Sequence, residues 1–127
     1  MNPALNSYKK TMVETSSPLE NVILLHERCL QHLNHLQKSI QENNVMEKVA
    51  ALQKAMDIIS GLDGELDYSQ GEIANNLHTL YECMIAQLTQ ANIKNDIVPV
   101  ELTKKIIFEL KDTWRQIQKK MQNSEKN

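Results

Sequence analysis

Residues Ser69–Asp96, SQGEIANNLHTLYECMIAQLTQANIKND, decide the fold. Ser69 followed three residues later by Glu72 is a helix-opening pair. The hydroxyl accepts from one free backbone N–H and the carboxylate reaches back to another. Apolar residues then recur at Ile73, Leu77, Leu80, Met84, Leu88 and Ala91, the spacing of a helical stripe. A second row, Ala74, Tyr81, Ile85 and Leu88, lies beside the first. One row is enough to pack on a neighbour. Two adjacent rows make a face wider than one neighbour covers, which predicts a central helix with apolar surface left over. Polar residues from Asn92 to Asp96 supply the turn chemistry that ends it.

The totals agree with a helical reading. The chain has 127 residues, enough for one domain with a real core. It holds only three Gly and three Pro, with 4% aromatic residues, and is rich in Leu, Gln, Glu and Lys. That composition favours helices over strands. A net charge of −2, with both signs interspersed, gives no basic footprint for nucleic acid. No window approaches the ~18 consecutive apolar residues of a membrane span, which predicts no membrane insertion. The opening MNPALNSYKKTM lacks the apolar h-region of a secretory signal, so a cytosolic protein is expected. Cys29 and Cys83 fall mid-helix close to apolar stripes and are expected as two buried free thiols.

Three further helices follow from the pattern. Ser17, Pro18 and Glu20 form a second helix-opening signal, with proline at the first helical position. The stripe behind it runs Leu19, Val22, His26, Cys29, Leu33, Leu36 and Ile40, and should stop near Glu42, before Asn43 and Asn44. The next helix is expected from Val45 to Leu66 on Val45, Val49, Leu52, Met56, Ile59, Leu62 and Leu66, with Gly61 and Gly64 weakening its end. The last starts at Pro99 and carries Ile107, Leu110, Trp114, Ile117 and Met121. Residues 1–16 are expected as a short N-terminal arm, because Leu5, Tyr8 and Met12 share helical spacing. So short a helix is marginal alone and forms only by docking. The expected organisation is an arm (1–16), an all-α antiparallel up-down-up-down four-helix bundle (17–122) and a frayed tail (123–127).

Enzyme chemistry is hard to find in this sequence. No Glu has a His three residues on, which excludes the di-metal carboxylate bundle. Cys29, His32 and His35 step by three along one helix but spread around it, and convergence on a zinc ion would need a fourth ligand. His26, inside the apolar stripe, reads as a partly buried histidine with one hydrogen-bond partner. His35, Lys38 and Ser39 invite comparison with histidine phosphotransfer bundles, where a solvated imidazole lies beside a cation and a small residue. Ser39 stands where that family has glycine. No phosphate loop or nucleophile elbow is present. No catalytic residue, metal or cofactor is expected. Surplus apolar surface on a soluble bundle marks a protein-binding site, and a groove between helices suits an amphipathic segment from a partner.

Ordered motifs along nearly the whole chain carry a resemblance. They are Tyr8, Val13-Glu14-Thr15 with Ser17-Pro18-Leu19, and Lys54-Ala55 with Ile58-Ile59, Leu62 and Leu66-Asp67. Then come Gly71-Glu72-Ile73-Ala74, Asn76-Leu77, Leu80-Tyr81, Ala91-Asn92, Asn95-Asp96, and finally Leu110, Trp114 and Ile117. In this order the sequence resembles the flagellar secretion chaperones, the FliS family. Gln70 stands where that family often has Gly, His26 where it often has Tyr, and the Asn-Pro-Tyr opening is incomplete. The resemblance implies a cytosolic bacterial chaperone that binds the C-terminal segment of flagellin, prevents its early polymerisation and delivers it to the export apparatus, without nucleotide. It also implies an arm that occupies part of the apolar surface, which singles out Tyr8, with Leu5 and Met12 beside it by spacing. For the groove, the surplus rows point to Met56, Ile59, Tyr81 and Ile85. The alternatives are a phosphotransfer-like bundle acting through His35 and a structural homodimer that buries the surplus face against itself.

Overall fold

The computed structural model describes residues 18–126, with side chains through residue 124. Four α-helices follow in order: α1 Pro18–Gln41, α2 Val45–Gly64, α3 Glu72–Lys94 and α4 Val98–Lys126, with a single 3-10 turn, Tyr68–Gln70, before α3. No strand occurs among the described residues. Consecutive helices run antiparallel over short links, and α4 returns to lie against α1, so the bundle is up-down-up-down as expected. Residues 1–17, which hold the expected arm and the Ser17 cap, lie outside the described residues.

Asparagines make two of the turns. Asn43 takes a left-handed conformation (φ 55°), and the N–H groups of Asn43 and Asn44 donate to the carbonyls of Ile40 (3.2 Å) and Ser39 (2.9 Å). This closes the end of α1 in a Schellman arrangement, at the one non-glycine residue type that tolerates it readily. Asn44 then caps α2, its side-chain oxygen accepting from the Glu47 N–H at 3.2 Å. Asn95 (φ 50°) repeats the device at the end of α3, with the Asp96 N–H on the Ala91 carbonyl at 3.2 Å. The Asp96 carboxylate turns the chain into α4 by accepting from the Val98 N–H at 3.0 Å.

The start of α3 differs from its expected capping box. Ser69 belongs to the 3-10 turn, where its N–H and hydroxyl both donate to Asp67, at 3.0 and 2.6 Å. The α-helix begins only at Glu72, after Gly71 at φ 69°, ψ −126°, with no side-chain cap. That backbone is open to glycine alone, so Gly71 and not Ser69 sets the boundary.

The core also has a different centre from the one the double row suggests. Helix α1 lies along α2 on one side and α4 on the other, and buries Ile23, Leu25, Cys29, Leu33, Leu36 and Ile40. Helix α3 closes the ring between α2 and α4 more loosely, burying Ala74, Tyr81, Met84, Leu88 and Ala91, and stays diagonal to α1. The central helix is therefore α1. Polar ties reinforce the α1–α4 seam: Arg115 pairs with Glu27, Gln118 with Glu20, and the Lys104 ammonium donates to the Gln37 side chain at 3.0 Å. Pairs as exposed as Arg115 and Glu27 add at most about 1 kcal/mol.

Several stripe residues read as core are on the surface. Val45 and Val49 in the first turns of α2, and Ile73 at the start of α3, are exposed. The face of α2 that packs is Ala51, Leu52, Ala55, Ile58, Ile59 and Leu62. The apolar period is right, but Val45 and Val49 lie to one side of the face that packs, although Glu47 and Lys48 beside them reach α1 and α3. Cys83 is exposed as well, unlike Cys29.

Candidate functional site

Looser packing of α3 leaves a seam between it and α2. A cavity of about 140 Å³ opens there, lined by Ile59, Ser60, Asp63, Tyr81, Glu82 and Ile85. Three of the four groove residues expected from the surplus rows meet in it. Ile59 is fully buried and Tyr81 nearly so, which makes their inner faces part of the core. Ile85 is half-buried. Met56, also half-buried, packs against the core without lining this cavity.

Spacing extends the seam beyond the cavity. Val45, Val49, Met56 and Asp63 are four or seven residues apart, so they form one row along α2. Asp63 places that row on the α3 side. Ile93 adds a further exposed apolar side chain near the end of α3. The seam thus runs from exposed aliphatic residues at one end of the bundle to a carboxylate pair at the other.

At the acidic end His78 stands between two carboxylates. Its Nδ1 lies 2.7 Å from Asp63 Oδ1 and its Nε2 2.6 Å from Glu82 Oε1. The edge of the ring meets Tyr68, with centroids 6.3 Å apart. The hydrogen bond to Asp63, assisted by both negative charges, raises the His78 pKa above its ordinary value. The carboxylates sit on opposite ring nitrogens and do not converge. Among the described residues no three His, Cys, Asp or Glu side chains gather to hold a metal ion. The Tyr81 hydroxyl has no hydrogen-bond partner among the described residues, and burial with the nearby Asp63 charge pushes it up to about 12.

A second cavity, about 260 Å³, adjoins the first through Tyr81. Val22, Leu62, Leu66, Leu77 and Trp114 surround it at the end of the bundle where α1 begins. The Trp114 indole N–H and both amide atoms of Asn21 are buried without a hydrogen-bond partner among the described residues. Sequence reading did not single out this cavity. Trp114 carries a hint of it, since an indole on an otherwise aliphatic stripe has a polar edge to satisfy.

The histidines on α1 divide as their positions suggest. His26 is buried, with Nδ1 2.7 Å from the Val22 carbonyl, so Nδ1 carries the proton and Nε2 has no partner among the described residues. Burial holds its pKa below the ordinary value. His35 is exposed and pairs through Nε2 with Glu47 at 2.8 Å, while Ser39 is buried and donates to the His35 carbonyl at 2.7 Å. A phosphoacceptor histidine needs an open face beside a small residue. Here the imidazole faces a carboxylate, and the small residue is turned into the core. Cys29 also points into the core, its thiol pushed up to about 12 by burial, away from His35 on the surface. The residues Leu5, Tyr8 and Met12 lie outside the described residues.

The described residues thus form an all-helical bundle in which the seam between α2 and α3 combines aliphatic side chains with an acidic end. The family model for the flagellar protein FliS matches residues 1–121. Over 122 residues the chain is 37% identical to a flagellar secretion chaperone FliS of Vibrio cholerae, covering 92% of this chain and 90% of that one. Against that of Salmonella typhimurium it is 33% identical, covering 91% and 90%. Against that of Bacillus subtilis it is 28% identical, covering 87% and 82%. A crystal structure of a bacterial flagellar chaperone superimposes with a TM-score of 0.76 at 19% identity, covering 93% of this chain and 99% of that one, which establishes the common fold. The chain belongs to the FliS family of flagellar secretion chaperones. No described helix is long and apolar enough to cross a membrane.

Proposed function

We propose that this chain is a cytosolic export chaperone. It binds the C-terminal segment of flagellin, keeps that segment from polymerising early, and hands it to the flagellar export apparatus. The observation that carries this reading is the α2–α3 seam, where Ile59, Tyr81 and Ile85 meet and half-buried Met56 with exposed Val45 and Val49 continues the apolar surface. A disordered tail with an amphipathic pattern covers its own stripe by lying on such a surface. The cost of ordering the tail moderates affinity, so release remains feasible. The family resemblance makes the N-terminal arm, with Leu5, Tyr8 and Met12, a reversible cover of the apolar surface.

Calorimetry of the full chain against a flagellin C-terminal peptide tests this. The expected result is one-to-one binding with a large negative heat-capacity change, and an altered affinity for Tyr8→Ala. Absence of binding to any flagellin tail contradicts the assignment. Unchanged affinity in Tyr8→Ala leaves the groove in place and removes the arm from it.

A further inference from the structure

The α2–α3 seam is not uniform along its length. One end holds Asp63 and Glu82 on either side of His78, with the Ser60 hydroxyl nearby. The other end holds Val45, Val49 and Ile93, all exposed. Level with these aliphatic residues, the Lys48 ammonium is buried against the Asn92 carbonyl (3.3 Å) and the Asn95 side-chain oxygen (2.7 Å), and no carboxylate among the described residues pairs with it. The seam is therefore negative at one end and both apolar and positive at the other. Asp63 and Val49 are 14 residues apart on one helix, about 21 Å along its axis.

We propose that this polarity reads the charge and direction of the bound segment: the seam takes an amphipathic helix with a Lys or Arg at one end of its apolar stripe, seated in the cavity that Asp63 and Glu82 line. This rests on the reading of the seam as the binding groove. Charge complementarity selects the occupant. Two carboxylates share one imidazole, so the acidic end carries a net negative charge in either protonation state of His78 and has room for a second cation. The Tyr81 side chain, only 3% exposed, lines the same cavity with its hydroxyl unpartnered among the described residues. It is placed to accept a hydrogen bond that an ammonium or guanidinium donates. A segment lying the other way would set its cation near Lys48 and its apolar end against the carboxylates. Like-charge juxtaposition and an unpaired desolvated carboxylate both disfavour that direction.

His78 adds a pH signature. The charged groups that face it are Asp63 from α2 and Glu82 from its own helix, and Tyr68 from the 3-10 turn meets it edge-on. A protonated His78 already neutralises part of the acidic end, so an incoming cation competes with that proton. Affinity for a cationic segment should rise as the pH rises through the titration of His78.

The test is a double-mutant cycle on the full chain with a flagellin C-terminal peptide as probe. Asp63→Asn and Glu82→Gln are each paired with replacement, one at a time, of every Lys and Arg in the peptide by Gln. Glu82 is the more exposed of the two acids, so Glu82→Gln keeps the test valid if Asp63→Asn perturbs the fold. The expected result is weakening of roughly fivefold for each acid variant, coupling to a single peptide cation at one end of the apolar stripe, and a pH dependence abolished in His78→Gln. Binding that is tight but insensitive to both acids and to every peptide cation overturns the inference and leaves the groove assignment standing. If the native chain does not bind the peptide at all, the groove assignment and the inference fall together.

Discussion

His78 on α3 reaches across the seam to Asp63 on α2, with Nδ1 and Oδ1 2.7 Å apart, and this is the one side-chain ion pair of the described residues that joins these two helices. It occupies a seam packed more thinly than those that α1 makes. Its hydrogen bond to Asp63 raises the imidazole pKa, so the folded state holds the proton more tightly than the unfolded chain does. The stabilising contribution is complete below the unfolded value of about 6.5 and disappears as the pH rises through the elevated folded value. Urea midpoints of the native chain and His78→Gln should therefore differ most in mild acid and converge in mild alkali. A difference that grows with pH would contradict this account of the contact.

His26 makes the opposite prediction. Burial lowers its pKa, so the unfolded chain binds the proton more readily, and this residue costs stability as the pH falls below about 6.5. His26→Phe fills the same interior site without a titratable group and without an Nε2 that lacks a partner among the described residues. The variant should lose much of the native chain's acid sensitivity between roughly pH 7 and pH 5, measured as the shift in thermal midpoint. An unchanged acid slope would show that protonation of another group dominates.

The two thiols should behave differently. Cys29 is fully buried and its pKa is driven up, whereas Cys83 is exposed on α3. Thiolate is the reactive form, so a maleimide should label Cys83 quickly and Cys29 only on unfolding. Mass spectrometry of the native protein should show one adduct, and two in denaturant. Two adducts under native conditions would mean that α1 opens far more readily than its burial implies.

Gly71 is the conformational hinge between the 3-10 turn and α3. A Cβ built there meets nothing within 4 Å, so space is no obstacle, and the penalty comes from the backbone at φ 69°. Gly71→Ala should cost about 1–3 kcal/mol, read as a lower denaturation midpoint, with the fold retained. A neutral effect would mean that α3 can begin elsewhere, for instance at the Ser69 cap that the sequence suggests.

That last contrast shows what could be read from the residues alone. The four helices were legible because their stripes have a clear period, and the Asn43-Asn44 and Asn95-Asp96 pairs mark two ends unambiguously. The opening of α3 misled, because Ser69 and Glu72 have capping-box spacing while Asp67, two residues before Ser69, competes for its donors. Val45, Val49 and Ile73 belong to the stripes by period but lie off the faces that pack. Periodicity reports a face and does not fix how it is turned against the neighbouring helices. Ile59, Tyr81 and Ile85 were reachable as surplus apolar residues. The contact between Asp63 and His78 was not, because two polar residues 15 positions apart meet only through the register of α2 against α3. The second cavity escaped notice for the same reason, being assembled from all four helices and the turn before α3.

The central claim is that the α2–α3 seam holds flagellin's C-terminal segment. The most direct measurement is calorimetric affinity for that segment in Val49→Asp and Ile85→Asp, beside a control at exposed Phe108 on α4, Phe108→Asp, with folding checked by circular dichroism. Val49 is 49% exposed, so its replacement leaves the core intact while placing a carboxylate on the apolar row. The account predicts at least a tenfold loss for both seam variants, about 1.4 kcal/mol or more, and native affinity for the control. Native affinity in both seam variants, or an equal loss at Phe108, would contradict it.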